Sequence, residues 1–314
     1  MPETKTALVT GATGLLGRQV LAAFQRDSNW TAVGQGFSRA DGTDILKADL
    51  MREEEVVGLL DQTRPDVVVH CAANRFPDKC DSNPTAARAL NVAATHALAS
   101  ATTARRILLI YISTDYVFPG RPGEAPYTAS APPAPPNIYG QTKRDGELAV
   151  LEAAGESGLG VVLRVPVLYG PVVGRNSESA VNVLVDAVWK AQEPGVSVKM
   201  DDWAVRYPTH TADVARVCRD VVGRYLRELA EGEGKGKAGG LPKILQFSSE
   251  DRMTKYRMCE LFAKILNLPL AGMVRVGEGP GEGEVQRPYD THLDTGGLKG
   301  LGIEVTTMDF EGWW

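Results

Sequence analysis

The first 170 residues alternate short apolar runs with longer segments whose apolar residues recur at helical spacing. Val67, Val68 and Val69 form one such run, and Ile107–Ile110 is another, without polar residues between. Uninterrupted apolar strands are typical of parallel sheets buried on both faces. Their alternation with helical segments predicts βαβ units in an α/β fold with a doubly wound parallel sheet. Predicted strands are 6–10, 31–37, 45–48, 67–71, 107–113 and 160–165, and predicted helices are 15–26, 53–63, 84–103 and 138–154.

The regular alternation weakens after about residue 170. Helical spacing returns only at 179–191, 212–229 and 255–266, with short strands between them. We therefore predict a larger first domain over residues 1–170, to whose sheet a later strand could return, and a smaller α/β lobe over 171–314. Residues 230–241 are rich in glycine and charge and poor in apolar side chains. This composition predicts a mobile loop within the second lobe.

Composition and charge exclude several classes of protein. The 314 residues include 34 Lys and Arg against 39 Asp and Glu, a net charge of −5 that argues against a nucleic-acid partner. The chain has no apolar run long enough for a membrane span, and its first residues lead directly into a strand pattern, so we expect a cytoplasmic protein. Its 4 Cys and 4 His are too scattered to predict a disulfide framework or a metal site.

A glycine motif follows the first predicted strand and opens the first predicted helix. In its GxxGxxG spacing, Gly11 permits a tight turn, Gly14 lets the backbone approach a pyrophosphate, and Gly17 allows close packing of helix on strand. The helix N-terminus adds N–H donors for the phosphates. The alternative is a tight turn without a ligand. The order of strand, loop, helix and strand favours dinucleotide binding by Gly11, Thr13, Gly14, Leu15, Leu16 and Gly17.

The end of the second predicted strand favours NADP(H) over NAD(H). An NAD site normally has an Asp or Glu there for the ribose hydroxyls. This chain instead has Phe37, Ser38 and Arg39, and a cation beside a hydroxyl suits a 2′-phosphate. Alternatively, Arg39 is a surface residue and Asp41 or Asp44 reaches the ribose. On the first interpretation, residues 1–170 form an NADP-binding Rossmann domain.

Two later strand ends contribute further candidates for the cofactor site. Asp49 and Leu50 follow the third predicted strand, where they would meet the adenine. Cys71, Ala72 and Ala73 end the fourth, and such small residues let a cofactor lie close to the backbone. Tight helix packing would explain the small residues equally well.

A tyrosine and a lysine are placed for proton transfer. Tyr139 and Lys143 are four residues apart, hence on one face of a predicted helix. A nearby ammonium stabilises a phenolate, which lets the tyrosine exchange a proton with a substrate oxygen closer to neutral pH. Thr114 ends the fifth predicted strand, at the rim where α/β sheets bind ligands. The alternative is an ordinary surface pair on a helix.

Together the TGATGLLG, STDYVF and YxxxK motifs resemble the extended short-chain dehydrogenase/reductase family, in its dTDP-4-dehydrorhamnose reductase branch. The resemblance covers nearly the whole chain. It implies that Thr114, Tyr139 and Lys143 act together on a carbonyl that receives hydride from NADPH, and that Lys143 also binds the nicotinamide ribose. It also implies that Asp115, Tyr116, Arg164 and Arg206 lie on the substrate side.

Further stretches resemble one group within that branch, the regulatory β subunits of methionine adenosyltransferase. They include residues 206–210, 253–256, 267–269 and 286–288, which lie outside the cofactor motifs. This resemblance implies an NADP-binding subunit whose partner is the catalytic subunit and which modulates S-adenosylmethionine synthesis. The alternative is an active NADPH-dependent reductase of a small-molecule carbonyl substrate. Val167 stands where the rhamnose-pathway reductases have Trp, so a nucleotide-sugar substrate loses a stacking surface.

Overall fold

The computed structural model describes residues 4–40, 42–232 and 240–314. The strands are β1 (Lys5–Thr10), β2 (Trp30–Gly36), β3 (Ile45–Lys47), β4 (Val67–His70), β5 (Leu108–Thr114), β6 (Gly160–Val165), β7 (Leu168–Tyr169), β8 (Val198–Asp201), β9 (Thr209–His210), β10 (Ile244–Gln246) and β11 (Met273–Val276). The helices are α1 (Gly17–Gln25), α2 (Glu53–Thr63), α3 (Pro77–Ser82), α4 (Pro84–Arg88), α5 (Thr95–Ala104), α6 (Ile138–Ala154), α7 (Val183–Lys190), α8 (Thr211–Gly232), α9 (Lys255–Leu266), α10 (Gly296–Gly300) and α11 (Phe310–Trp313).

The central sheet has seven strands in the order β10-β6-β5-β4-β1-β2-β3, all paired in parallel. The strand order reverses between β1 and β4, because the chain first adds β2 and β3 on one side and then crosses over to the other. This confirms the predicted doubly wound fold. Such a reversal opens a crevice at the carboxyl ends of the strands, where α/β proteins bind ligands.

Alternate residues of each central strand face opposite helical layers. Ala7 and Val9 of β1 pack with α1 and α8, whereas Leu8 packs with α2, α5 and α6. All three side chains are fully buried. Both faces of the sheet are therefore covered, which is why its strands are apolar at consecutive positions.

The predicted helix over 84–103 is interrupted. The structure has α4 and α5 separated by a π-helical turn at Ala89–Ala94, which buries the polar side chain of Asn91. Helical spacing does not reveal such a turn, because one extra residue is absorbed without ending the helix. Helix α3 and the short strands β7 to β11 were also not individually predicted.

A third hydrophobic cluster lies outside the two sheet faces. It contains Tyr169, Phe262 and Phe310, with Trp313 and Trp314 packed against it. The two-domain division at about residue 170 stays a prediction, since α8 packs on α1 and β10 pairs with β6 of the main sheet. The mobile loop predicted at 230–241 falls mostly on residues 233–239, which lie outside the described residues. No helix in the described ranges is both long and apolar enough to span a membrane.

Candidate functional site

A cavity of about 680 Å³ lies at the carboxyl ends of the central strands. Its walls come from the β1–α1 loop, the ends of β2 to β6, and the first turns of α6 and α9. The predicted site residues that line it are Gly11, Thr13, Gly14, Leu15, Leu16, Gly17, Phe37, Ser38, Arg39, Asp49, Leu50, Cys71, Ala72, Ala73, Thr114, Asp115, Tyr116, Tyr139, Lys143 and Arg206. Asp44 does not line its described walls, and Asp41 lies outside the described residues.

At two positions of the glycine loop, close contacts leave no room for a side chain. Gly11 has a φ of +65°, and a Cβ there would lie 2.8 Å from the Ala72 backbone. A Cβ on Gly17 would lie 2.2 Å from the Gly11 carbonyl oxygen. The Gly14 N–H closes the turn by donating to that same carbonyl over 2.9 Å. These contacts seat the loop directly against the end of β4 and start α1 at the cavity wall.

Gln35 fixes the glycine loop, although no role was predicted for it. Its side chain is buried in β2, where Oε1 accepts from the Gly11 N–H at 3.1 Å and Nε2 donates to the Ala48 carbonyl at 2.7 Å. The amide therefore ties the loop to the segment that follows β3. A polar residue inside an otherwise buried strand is the sequence signal for this role, because it must find partners there.

Thr114 and Tyr139 meet at the inner end of the cavity. Thr114 Oγ1 donates to Asp115 Oδ1 at 3.0 Å and accepts from the Tyr116 N–H at 3.2 Å. Tyr139 is on the first turn of α6. Asn137 fixes the start of this helix, because its Oδ1 accepts from the Gly140 N–H. Burial raises the pKa of the Tyr139 phenol well above its ordinary value, and a hydrogen bond with Thr114 only partly opposes this. The phenol therefore keeps its proton at neutral pH.

Lys143 lies one turn further along α6. Its side chain is 3% exposed, and Nζ is 4.0 Å from the centre of the Tyr111 ring. Burial lowers the pKa of Lys143 to about 7, despite the opposing charge of Glu147. The contact with the ring face and the charge of Glu147 do not offset this burial, so a nearby anionic ligand would favour the charged form of Lys143.

The π-helical turn positions α6 beside the cavity. Asn91 Nδ2 donates to Thr142 Oγ1 at 3.0 Å and to the Asn74 carbonyl at 2.9 Å, while Oδ1 accepts from the Asn74 N–H at 2.7 Å. The side chain thus joins α6 to the loop after β4. Thr142 lies between Tyr139 and Lys143 on the helix, so this bond links the π-helical turn to the part of α6 that carries both residues.

The expectation that Arg164 lies on the substrate side is corrected by the structure. Arg164 is 1% exposed and does not line the described cavity. Its Nε and Nη2 each donate to a different oxygen of Glu147 at 2.8 Å, and Nη1 donates to Gln246 Oε1 at 3.3 Å. The guanidinium is therefore held inside the protein by a buried carboxylate.

Cations line the end of the cavity beyond Tyr116. Arg206 is 4% exposed, and its Nη1 donates to the carbonyls of Val205 and Pro288, but Nη2 has no hydrogen-bond partner among the described residues. Lys255 and Arg287 line the same end. Burial, reinforced by the charges of Arg206 and Arg287, lowers the pKa of Lys255 to about 8. This end is suited to an anionic group, since a buried guanidinium with a free donor gains most from one.

Lys255 and Arg287 were not predicted as site residues, and neither was Arg75, which lines the cavity near Tyr139. They come from segments far apart in the chain, so no local spacing links them. Arg39 lies at the rim, where it pairs with Glu178. Among the described residues, no group of three or more His, Cys, Asp or Glu side chains could hold a metal ion.

The comparisons with known proteins agree on one family. Residues 5–307 match the family model described as RmlD substrate binding domain. The chain is 44% identical over 305 residues to methionine adenosyltransferase 2 subunit beta of Rattus norvegicus. The aligned residues cover 97% of this chain and 84% of the relative. The corresponding protein of Danio rerio is 40% identical over 307 residues, spanning 98% of this chain and 88% of the relative.

Solved structures agree on the fold. The dTDP-4-dehydrorhamnose reductase of Bacillus anthracis, solved in complex with NADP, superposes with a TM-score of 0.78 at 20% identity, covering 99% of this chain and 96% of that one. These findings confirm the family resemblance found in the sequence. The chain belongs to the RmlD substrate-binding domain family, and within it to the group that contains the subunit beta proteins of methionine adenosyltransferase 2.

Proposed function

We propose that this protein binds NADP(H) and acts as a regulatory β-type subunit, which binds the catalytic subunit of a methionine adenosyltransferase and modulates S-adenosylmethionine synthesis. The observation that carries the proposal is the 44% identity to methionine adenosyltransferase 2 subunit beta across 97% of this chain. Identity at that level over the whole length includes surface positions as well as the core. It therefore supports a common class of partner, which a common fold alone would not.

The cavity residues fit NADP(H) on two observations. Gly11, Gly14 and Gly17 line the cavity without side chains, and Gly11 and Gly17 have no room for one, so the loop backbone can approach a pyrophosphate. At the rim, the ring of Phe37 is 55% exposed beside the cation of Arg39, which suits an adenine next to a 2′-phosphate. On this proposal Asp49 and Leu50 would contact the adenine. Cys71, Ala72 and Ala73 would lie along the cofactor, and Tyr139 and Lys143 would hold its nicotinamide ribose.

The same residues would support reduction of a carbonyl, since NADPH supplies a hydride when bound. Tyr139 would hold the proton at Oη for the carbonyl oxygen, and its raised pKa keeps that proton in place at neutral pH. Thr114 Oγ1 would orient the same oxygen by donating its O–H to it instead of to Asp115 Oδ1. Lys143 would stabilise the phenolate left behind, to the extent that an anionic ligand keeps its own ammonium charged.

Sedimentation velocity with the methionine adenosyltransferase catalytic subunit from the same source tests the regulatory role. We expect a stable complex at micromolar concentrations, and the run should be made with and without NADPH. Tyr139→Phe is the matched variant, because it removes the phenol that a reductase needs while leaving the ring. A subunit whose role is regulatory should bind its partner equally well with this substitution. No complex for the unmodified chain would contradict the proposal.

A second candidate function is reduction of a carbonyl compound that carries an anionic group. The observation that favours it is the unpartnered Nη2 of the buried Arg206, in the same cavity as Thr114 and Tyr139. NADPH consumption should be screened with phosphorylated and carboxylated carbonyl compounds. For a compound that the protein reduces, Arg206→Met should raise KM and Tyr139→Phe should lower kcat. Absence of turnover across the panel would leave the regulatory proposal as the better one.

A further inference from the structure

A carboxylate from the second half of the chain sits between two arginines at the cavity rim. Glu178 ends a short 3₁₀ turn at Asn176–Glu178. Its Oε2 lies 2.5 Å from Arg18 Nη2, and its Oε1 lies 2.5 Å from Arg39 Nη1. The side chains of Glu178 and Arg18 are only 15% and 17% exposed, whereas Arg39 is 53% exposed. The carboxylate is thus enclosed on the Arg18 side and open on the Arg39 side.

Arg18 connects this carboxylate to the glycine loop. Its Nη2 also donates to the Thr13 carbonyl at 3.2 Å, and its Nη1 donates to the Pro171 carbonyl at 3.2 Å. The Val173 N–H donates to Glu178 Oε2 at 3.2 Å. The segment from Pro171 to Glu178 is therefore fastened to the loop that would hold the pyrophosphate. The bond to Arg39 is an additional one, made by the other carboxylate oxygen.

Glu178 carries its negative charge at neutral pH. Burial opposes ionisation, but hydrogen bonds from Arg18, the Val173 N–H and Arg39 outweigh it and lower the pKa of Glu178. A 2′-phosphate brings a charge of about −1.5 to −2 to the guanidinium that it binds. At Arg39 it would meet a carboxylate that already occupies Nη1, and two negative groups that share one guanidinium repel each other. A ribose 2′-hydroxyl has no charge and can donate a hydrogen bond to the same carboxylate.

We propose that Glu178 sets the selectivity of the cofactor site, by competing with a 2′-phosphate for Arg39 and by accepting a hydrogen bond from a 2′-hydroxyl. The proposal rests on the cofactor site proposed above. Its consequence is a preference for NADPH over NADH that is weaker than Arg39 alone would produce. The residue that sets this balance is far in sequence from β2, where selectivity is ordinarily assigned.

Isothermal titration calorimetry of the full chain with NADPH and NADH tests this role. Glu178→Gln keeps the shape of the side chain and removes its charge. We expect it to bind NADPH about tenfold more tightly, a change of roughly 1.4 kcal/mol, and NADH a few-fold more weakly, because a neutral amide is a weaker acceptor for the 2′-hydroxyl. Adenosine 2′,5′-bisphosphate, which lacks the nicotinamide, should show the same tightening, whereas 5′-AMP should not.

Asp186→Asn is the matched control. Asp186 Oδ1 accepts from Asn176 Nδ2 at 2.7 Å, so it holds the same segment through a residue other than the two arginines. This variant should leave both affinities unchanged. A thermal melt of each variant checks that the fold is retained. If Glu178→Gln melts early, Glu178→Ala takes its place in the same titrations.

The possible failures are distinguishable. Weaker NADPH binding by Glu178→Gln would mean that the carboxylate positions Arg39 and does not compete with the phosphate. Equal changes for both dinucleotides, or none, would likewise refute the role of Glu178 while leaving the cofactor site standing. An unmodified chain that binds neither dinucleotide would refute the cofactor proposal itself, and the role of Glu178 with it.

Discussion

Replacing Arg164 with Met should destabilise the protein by about 3–5 kcal/mol without changing its affinity for dinucleotides more than about twofold. Arg164 is on β6 and Glu147 is on α6, and the two side chains are 1% and 0% exposed. The guanidinium donates twice to the carboxylate, with both distances at 2.8 Å. The pair joins a central strand to the helix that carries Tyr139 and Lys143, but it lies behind the cavity wall.

The magnitude follows from what Met would leave behind. Each hydrogen bond to a buried charge is worth about 1.5–3 kcal/mol, and two are lost. Glu147 keeps two donors, the Ser113 hydroxyl at 2.6 Å and Arg144 Nη1 at 2.9 Å. Because Arg144 remains as a partial counter-ion, we expect the loss to fall below the sum of both bonds, within the range typical of a broken buried pair.

Urea unfolding followed by circular dichroism measures the loss, and calorimetry measures the dinucleotide affinity. The double variant Arg164→Met with Glu147→Leu should cost less than the sum of the single changes, since no buried charge is then unpaired. Asp145→Asn, also on α6, breaks a pair with Arg88, which is 50% exposed, and should cost below about 1 kcal/mol. A loss below about 1 kcal/mol for Arg164→Met, or additive single changes, would refute the reasoning.

Gly17→Ala should weaken dinucleotide binding at least roughly tenfold by calorimetry, because its Cβ would lie 2.2 Å from the Gly11 carbonyl oxygen and displace the loop. The control is Gly58→Ala on α2, where nothing lies within 4 Å of the added Cβ, and it should instead raise the Tm. An unchanged dinucleotide affinity for Gly17→Ala would contradict the loop geometry. Arg39→Ala should weaken NADPH by about tenfold and NADH much less, and equal losses would exclude a 2′-phosphate contact. Lys143→Met should flatten the pH dependence of the free energy of unfolding. Burial lowers the pKa of Lys143 to about 7 in the folded protein, so above that pH the unfolded chain binds one more proton than the folded chain. The free energy of unfolding of the unmodified protein therefore rises with pH. Urea unfolding at pH 7, 8 and 9 should show the native slope reduced in the variant by up to about 1.4 kcal/mol per pH unit, and an unchanged slope would mean that Lys143 stays charged in the folded protein.

The sequence determined the features whose causes are local. The helix predicted at 138–154 matches α6 at both ends, and its start is set locally, because the N-cap Asn137 is adjacent in the chain to the helix that it starts. The glycine loop was predicted for the same reason, since its turn, close approach and helix start lie within a single short motif. Helical spacing alone placed Tyr139 and Lys143 on one face.

The tertiary structure decided which charged side chains reach the cavity. Arg164 and Arg206 look alike in the sequence, yet Arg164 is held by Glu147 inside the protein, whereas Arg206 keeps an unpartnered Nη2 at the cavity. Likewise, Glu178 and Lys255 reach the site from distant segments. The free energy of a charge depends on its burial and on its counter-ions. Both are fixed only when remote parts of the chain pack together, so local sequence determines the strands, caps and loops, and packing determines the electrostatics of the site.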